Sequence, residues 1–311
     1  MRRRGRLRGG PRWARKTPCD RHAESRRRSR RSVSRHVSGE CEVIVQHFPV
    51  FAQGLRDRRR SLLWWSLGVA VYIAVIAAMW PSIRGAAGLN DIMSQLPKSI
   101  LDLMGASDFD ISTGAGYVSG ELFGFMIPIF ILILTIGAGA AAVGGAEERG
   151  TLDLLLSHPI SRRRVLLQSA ALVAVEAAIF GTVVVATLAI ATPLADLQIA
   201  FVHSVGAAFG IVMLGIAVGW TALAVGAATG SRSLALAVTG SVAAITYLLG
   251  SLSGLVDFLH NAKWISPFFY ANDGSPLVHG YTWWHALVLA AFGVVALGVG
   301  AELFDRRNLS N

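Results

Sequence analysis

The chain has 311 residues, of which 53% are hydrophobic and 15% charged, with a mean hydropathy of +0.51 and a formal net charge of +10. The charged share lies far below the ~25% of soluble domains, and several uncharged stretches reach the about 20 residues that cross a bilayer core. These figures exclude a water-soluble globular domain and point to an all-α, polytopic integral membrane protein.

The basic balance belongs to one end. Residues 1–60 hold 18 Arg, one Lys and five acidic residues, a net of +14, so the remaining 251 residues sum to −4. No aromatic-basic interleaving and no nucleic-acid-binding motif accompany these arginines, so no nucleic-acid partner is expected. In a membrane protein such an excess reports topology. Both cysteines, Cys19 and Cys41, lie in this basic stretch, and no structural disulfide is expected.

Residues 1–41 are rich in Arg and Ser and almost devoid of apolar residues. They cannot bury enough surface to offset the entropy of ordering, and read as a disordered tail. No apolar run follows their arginines, so they form no export signal; a mis-assigned translation start is a second reading of this segment, and a polybasic lipid-binding patch a third. Residues 42–311 read as one six-span domain. Over 43–60, Val43, Ile44, Val45, Phe48, Val50, Phe51 and Leu55 precede Arg56–Arg60. This pattern suggests an amphipathic interfacial helix closed by a basic stop, with the plain flank of a first span as the alternative.

Six apolar runs follow, at about Ser61–Trp80, Leu122–Val143, Val165–Ala191, Ser204–Ala228, Ser233–Val256 and Trp283–Leu303. Trp64, Trp65 and Trp80 mark the ends of the first, where aromatic rings favour the interface. Pro128 is expected to kink the second, which is tolerable if a neighbour satisfies the freed carbonyl. The fourth carries Gly206, Gly210, Gly215, Gly219, Gly226 and Gly230. Three pairs there have the four-residue spacing of close helix packing, and we expect a buried packing helix. Residues 81–120 and 257–281 form the long connections, the latter apolar enough to suggest short helices on the membrane.

Six spans place both termini on one side. Residues 1–60, the 144–164 loop, Arg232, Arg306 and Arg307 hold 26 of the 29 basic residues, leaving Arg84, Lys98 and Lys263 opposite. Without residues 1–41 the ratio is still 11 to 3. Both termini and the 144–164 loop are therefore expected in the cytoplasm.

No Gly-rich phosphate loop ending in Lys-Ser or Lys-Thr occurs, nor a nucleophile elbow, a zinc-protease motif or a cysteine cluster. The chain is expected not to be an enzyme and to bind neither cofactor nor metal. His158, His203, His260, His279 and His285 are scattered near span ends, where interfacial polarity is the expected role. Glu176 is the one acid well inside a span. It either lines a substrate or proton path or is held protonated or hydrogen-bonded between helices; the sequence leaves both open.

The stretch GGAEERGTLDLLLSHPISRRRVLLQ interrupts the apolar pattern at Gly144–Gln168. Leu152, Leu155 and Leu156 share one helical face, Pro159 ends that short helix, and Ser161 can cap the next. Glu147 and Glu148 sit at the C-terminal end of the second span, the wrong end of a helix dipole for acids. They need basic partners, from Arg149, from Arg162–Arg164 or from another protein. On residue types alone, an ordinary interfacial loop and a docking loop are equally good readings.

The same stretch resembles the signature of type-2 ABC transporter permeases. The residues that carry the likeness are Glu147, Glu148, Gly150, Thr151, Leu152, Leu155, Leu156, Ser157, Pro159, Ser161 and Arg162. RDRRRSLLWWSLGVAVY and WISPFFYANDGSPLVHG are similar to members as well, so the likeness runs from about residue 50 to the end. It implies the membrane subunit of an ATP-driven exporter in the cell membrane, forming a homodimer or pseudo-dimer beside two separate ATPase subunits. The 144–164 loop would couple the two, and ATP and Mg would sit on the partner. A stand-alone ion-coupled carrier is the alternative, disfavoured by the sparse intramembrane charge. A membrane-embedded enzyme is a third reading, disfavoured by the missing catalytic constellation.

Overall fold

A computed structural model describes residues 49–84, 113–150, 161–252 and 264–307, and the larger compact unit of the chain is Gln53–Asn311. Among the described residues all regular structure is helical. Six helices are long and apolar enough to cross a membrane: Gln53–Arg84, Gly114–Ala142, Arg162–Ala195, Phe201–Thr229, Arg232–Gly250 and Trp283–Arg306. We label the helices α1 (Pro49–Arg84), α2 (Gly114–Val118), α3 (Ile127–Ala142), α4 (Gly144–Glu148), α5 (Arg162–Ala195), α6 (Phe201–Thr229), α7 (Arg232–Leu252), α8 (Pro267–Asn272) and α9 (Trp283–Arg306). Two π-helical segments, Ser119–Met126 and Ser275–His279, complete the order. Thr151, Leu152, Leu155, Leu156 and Pro159 lie outside the described residues, as does the tail at 1–41.

The first span departs from expectation at its start. α1 runs unbroken from Pro49 to Arg84, so residues 49–60 are helical turns continuous with the span and form no separate interfacial helix. The arginines do not stop the helix, because Arg is a good helix former and Arg58 finds an acid across the helix interface (below). Not all the tryptophans face outward. Trp80 is buried and stacks on Tyr117 with ring centroids 5.6 Å apart, and Trp65 packs against Phe130 at 6.1 Å; Trp64 alone of the three is widely exposed.

The second span begins earlier than the apolar run suggests. Thr113 caps α2, its hydroxyl accepting from the Gly116 N–H at 3.0 Å, so part of the expected 81–120 connection is helix. Between α2 and α3 the backbone widens into the π-helical turn Ser119–Met126, just ahead of Pro128. A proline in a helix removes one N–H and crowds the carbonyl four residues back, here that of Gly124. The wider turn makes room for the ring, and the Tyr247 hydroxyl from α7 donates to the Gly124 carbonyl at 3.3 Å. The neighbour that Pro128 requires is Tyr247.

α6 is the packing centre, as its glycines suggest. It lies against α3, α5, α7 and α9, and buries 56% of its apolar window against 17% for α7. Its contacts run almost backbone to backbone. A Cβ at Gly139 of α3 would collide with the Gly219 carbonyl, and one at Gly293 of α9 would meet the Ala217 Cα at 3.1 Å. In a lipid solvent, where apolar burial between helices gains little, such close approach is what holds helices together. The Gly226/Gly230 pair serves a different purpose. Gly230 ends α6 in the left-handed region, at φ 70°.

At the end of the bundle away from residues 144–164, the expected short helices are present as α8 and the Ser275–His279 segment. Tyr281 is buried beside Gly206 and Gly210 and donates to the Tyr270 carbonyl at 3.2 Å; burial pushes its phenol up to about 12, so it stays a neutral donor. His285 is buried among Phe269, Tyr270 and Trp284, 3.9 Å from Asp273. It does not serve interfacial polarity, because α8 folds over it. Arg84 and Asp196 pair at 2.7 Å at this end, both exposed.

Candidate functional site

The interrupting loop leaves the second span through α4 and enters the third at Ser161; this end of the bundle is called the loop end. α4 is made of small residues for a local reason. A Cβ on Gly144 would meet the Arg232 backbone nitrogen at 2.9 Å, so only glycine lets α4 lie against the start of α7. The helix closes at Gly150, whose φ of 66° is left-handed and whose N–H donates to the Glu147 carbonyl at 2.8 Å. A glycine adopts that conformation without strain.

Both acids of α4 are engaged within the chain. Glu147 accepts two bonds from the Arg307 guanidinium, one at 3.0 Å from Nη1 and one from Nη2. The two side chains are 19% and 21% exposed, so the pair is mostly shielded, with the forked geometry that makes Arg–carboxylate contacts strong. Arg307 also donates to the Ala227 carbonyl at 3.3 Å, near the C-terminal end of α6, where a cation offsets the dipole. The basic partner of Glu147 thus comes from the end of the sixth span, where the sequence pointed to Arg149 or the arginine triplet.

Glu148 reaches the other way. Its Oε1 accepts from the Ser231 hydroxyl at 3.0 Å and the Arg232 N–H at 2.8 Å, with Ser233 N–H at 3.5 Å. The carboxylate lies over the N-terminus of α7, where unpaired N–H groups and the dipole favour an anion. The Ser231 hydroxyl first, then the N–H groups of Arg232 and Ser233, hold its carboxyl below the usual carboxylate range. An acid misplaced on its own helix is well placed on its neighbour's.

Ser161 caps α5, as expected, its hydroxyl accepting from the Arg164 N–H at 3.3 Å. Arg162 donates to the carbonyls of Phe304 at 2.9 Å and Arg307 at 2.7 Å, and its guanidinium lies 5.6 Å from the Phe304 ring. Arg163 pairs with Asp305 at 2.6 Å and Glu302 at 3.7 Å. Arg162 and Arg163 therefore tie the third span to the end of the sixth. Glu302, Asp305 and Arg307 are the residues that sequence reasoning missed here. A signal was available, because the run of Glu302, Asp305, Arg306 and Arg307 mirrors the charges of the loop.

Glu176 stands apart from this cluster. It is fully buried, with Oε1 at 3.2 Å from Arg58 Nε, and the Arg58 side chain is 27% exposed. Among the described residues neither carboxylate oxygen meets a donor in good hydrogen-bond geometry, so the contact is one of charge. Glu176 thus sits at the α1–α5 interface, away from the loop end.

Among the described residues no three His, Cys, Asp or Glu side chains are grouped to hold a metal ion. No curated protein matches the chain significantly. The family model described as ABC-2 family transporter protein matches residues 48–309, which takes in the six spans and the interrupting loop. The chain therefore belongs to the ABC-2 transporter family, and is a multi-pass membrane protein of it.

Proposed function

We propose that the chain is the membrane-spanning permease of an ATP-driven exporter in the cell membrane, and that its 144–164 loop docks on a separate ATPase subunit. Two permeases and two ATPases make the working unit; ATP and Mg are held by the ATPase. Leu152, Leu155 and Leu156, beside Thr151, supply the apolar docking face, Gly150 and Pro159 its two ends, and Ser161 with Arg162 its anchor to the third span.

The observation that carries this reading is the segregation of charge in a chain of this family. Arg149, Arg162, Arg163, Arg164, Arg232, Arg306 and Arg307 all belong to the loop end, while Arg84 pairs with Asp196 at the other. The positive-inside rule puts the loop end, and with it both termini, in the cytoplasm, where an ATPase works. Family membership supports the division of labour between chains.

Affinity purification of the full-length chain from native membranes tests the reading. An ABC-type ATPase is expected to co-purify with the wild type and to be lost from Leu155→Arg, with membrane insertion intact. Retention of the ATPase by Leu155→Arg would sink the docking role. A thiol-reactive, membrane-impermeant label should reach Ser157→Cys only from the cytoplasmic side; labelling of intact cells would reverse the topology.

A further inference from the structure

We propose that Glu147, Glu148 and Arg307 are positioning residues that carry a displacement of the loop to the fifth and sixth spans, and that Glu147 does not face the ATPase. The proposal rests on the docking role of the loop given above and assigns its inner side.

Two junctions meet in α4. At the first, Glu147 grips Arg307, which also holds the Ala227 carbonyl of α6, while the Arg307 carbonyl accepts from Arg162 of α5. One residue thus joins the end of the sixth span to the loop, to the end of the fourth and to the start of the third. At the second junction Glu148 binds the first N–H of α7, joining the loop to the start of the fifth span. Both oxygens of Glu147 are taken up by Arg307, and with its side chain 19% exposed Glu147 has little surface to offer another protein.

The junctions are stiff. α4 lies backbone to backbone against Ser231 and Arg232 through Gly144. The Arg307 guanidinium fills the space a side chain at Gly230 would need. Contacts with so little slack transmit a shift instead of absorbing it. α4 cannot move along the membrane without drawing the N-terminus of α7 and the C-terminus of α9 with it.

The test uses the full-length chain with its co-purifying ATPase in lipid nanodiscs. Cys19→Ser and Cys41→Ser clear the background, and an environment-sensitive fluorophore is placed at Leu287→Cys, an exposed position on α9 far from the loop end. ATP with vanadate is expected to change the fluorescence of the parent. Glu147→Arg and Arg307→Glu should each keep the ATPase bound but reduce that change about tenfold, and the double charge swap should restore it. Should Glu147→Arg fail to insert, Glu147→Gln carries the same expectation at about threefold. The proposal is overturned if the single variants respond like the parent, if they release the ATPase (which would put Glu147 in its interface), or if the swap does not restore the response. A parent that binds the ATPase but gives no response removes the coupling reading itself, and this proposal with it.

Discussion

Arg58 Nε lies 3.2 Å from the Glu176 carboxylate, joining α1 to α5 by charge roughly 21 Å along α5 from Arg162, at 1.5 Å per residue. Removing one member leaves the other enclosed and unpaired. Glu176→Gln is expected to cost about 1–3 kcal/mol, less than the ~3–5 of a wholly enclosed pair, because the Arg58 side chain is 27% exposed. Arg58→Met with Glu176→Leu should recover most of the loss. Thermal unfolding in detergent, followed by fluorescence-detected size exclusion, measures both. A Glu176→Gln variant as stable as wild type would show that the pair does not hold α1.

The glycine seam makes a paired prediction. Gly139→Ala pushes a methyl into the Gly219 carbonyl and the Leu223 nitrogen and should cost about 1–3 kcal/mol as overpacking. Gly137→Ala, two positions earlier in the same helix, meets nothing within 4 Å. It should be neutral or stabilising by up to about 1 kcal/mol. Equal melting temperatures for the two variants would refute the backbone-to-backbone contact.

Tyr247→Phe deletes the hydroxyl that serves the Gly124 carbonyl beside Pro128. Polar contacts between membrane helices are worth about 0.6 kcal/mol on average and up to about 1.7. A loss in that range is expected, and it should vanish when Pro128→Ala restores the regular helix bond. An undiminished Tyr247→Phe effect in the Pro128→Ala background would separate the hydroxyl from the proline.

Acid should release Glu148 from α7. Its carboxyl is held below the usual range in the folded chain, so its stabilisation is present above the unfolded pKa and lost as pH falls through the folded one. The melting temperature of Glu148→Gln should lie below wild type at pH 7 and converge with it toward about pH 3. A gap independent of pH would assign the effect to shape rather than charge.

Much of this was legible in the residues. Six apolar runs of bilayer length name six helices, and the glycines of the fourth name the helix that packs against four of the others. Two boundaries were not legible. Arg56–Arg60 look like a stop until Arg58 is seen against Glu176, and the polar run Thr113–Glu121 looks like a loop until Thr113 is seen capping α2. The partners of Glu147 and Glu148 were hidden for a simpler reason. They stand 160 and 83–85 positions away, and nothing local distinguishes an acid waiting for them from one waiting for another protein.

Where Gly139 meets Gly219, neither helix presents a side chain that could swing to a new rotamer and let its neighbour slip past. Ordinary helix interfaces ratchet because side chains re-seat themselves. Two bare backbones have no second seat. α3 and α6 are thus joined at this point as one inelastic pair, and any shift of the one carries the other with it.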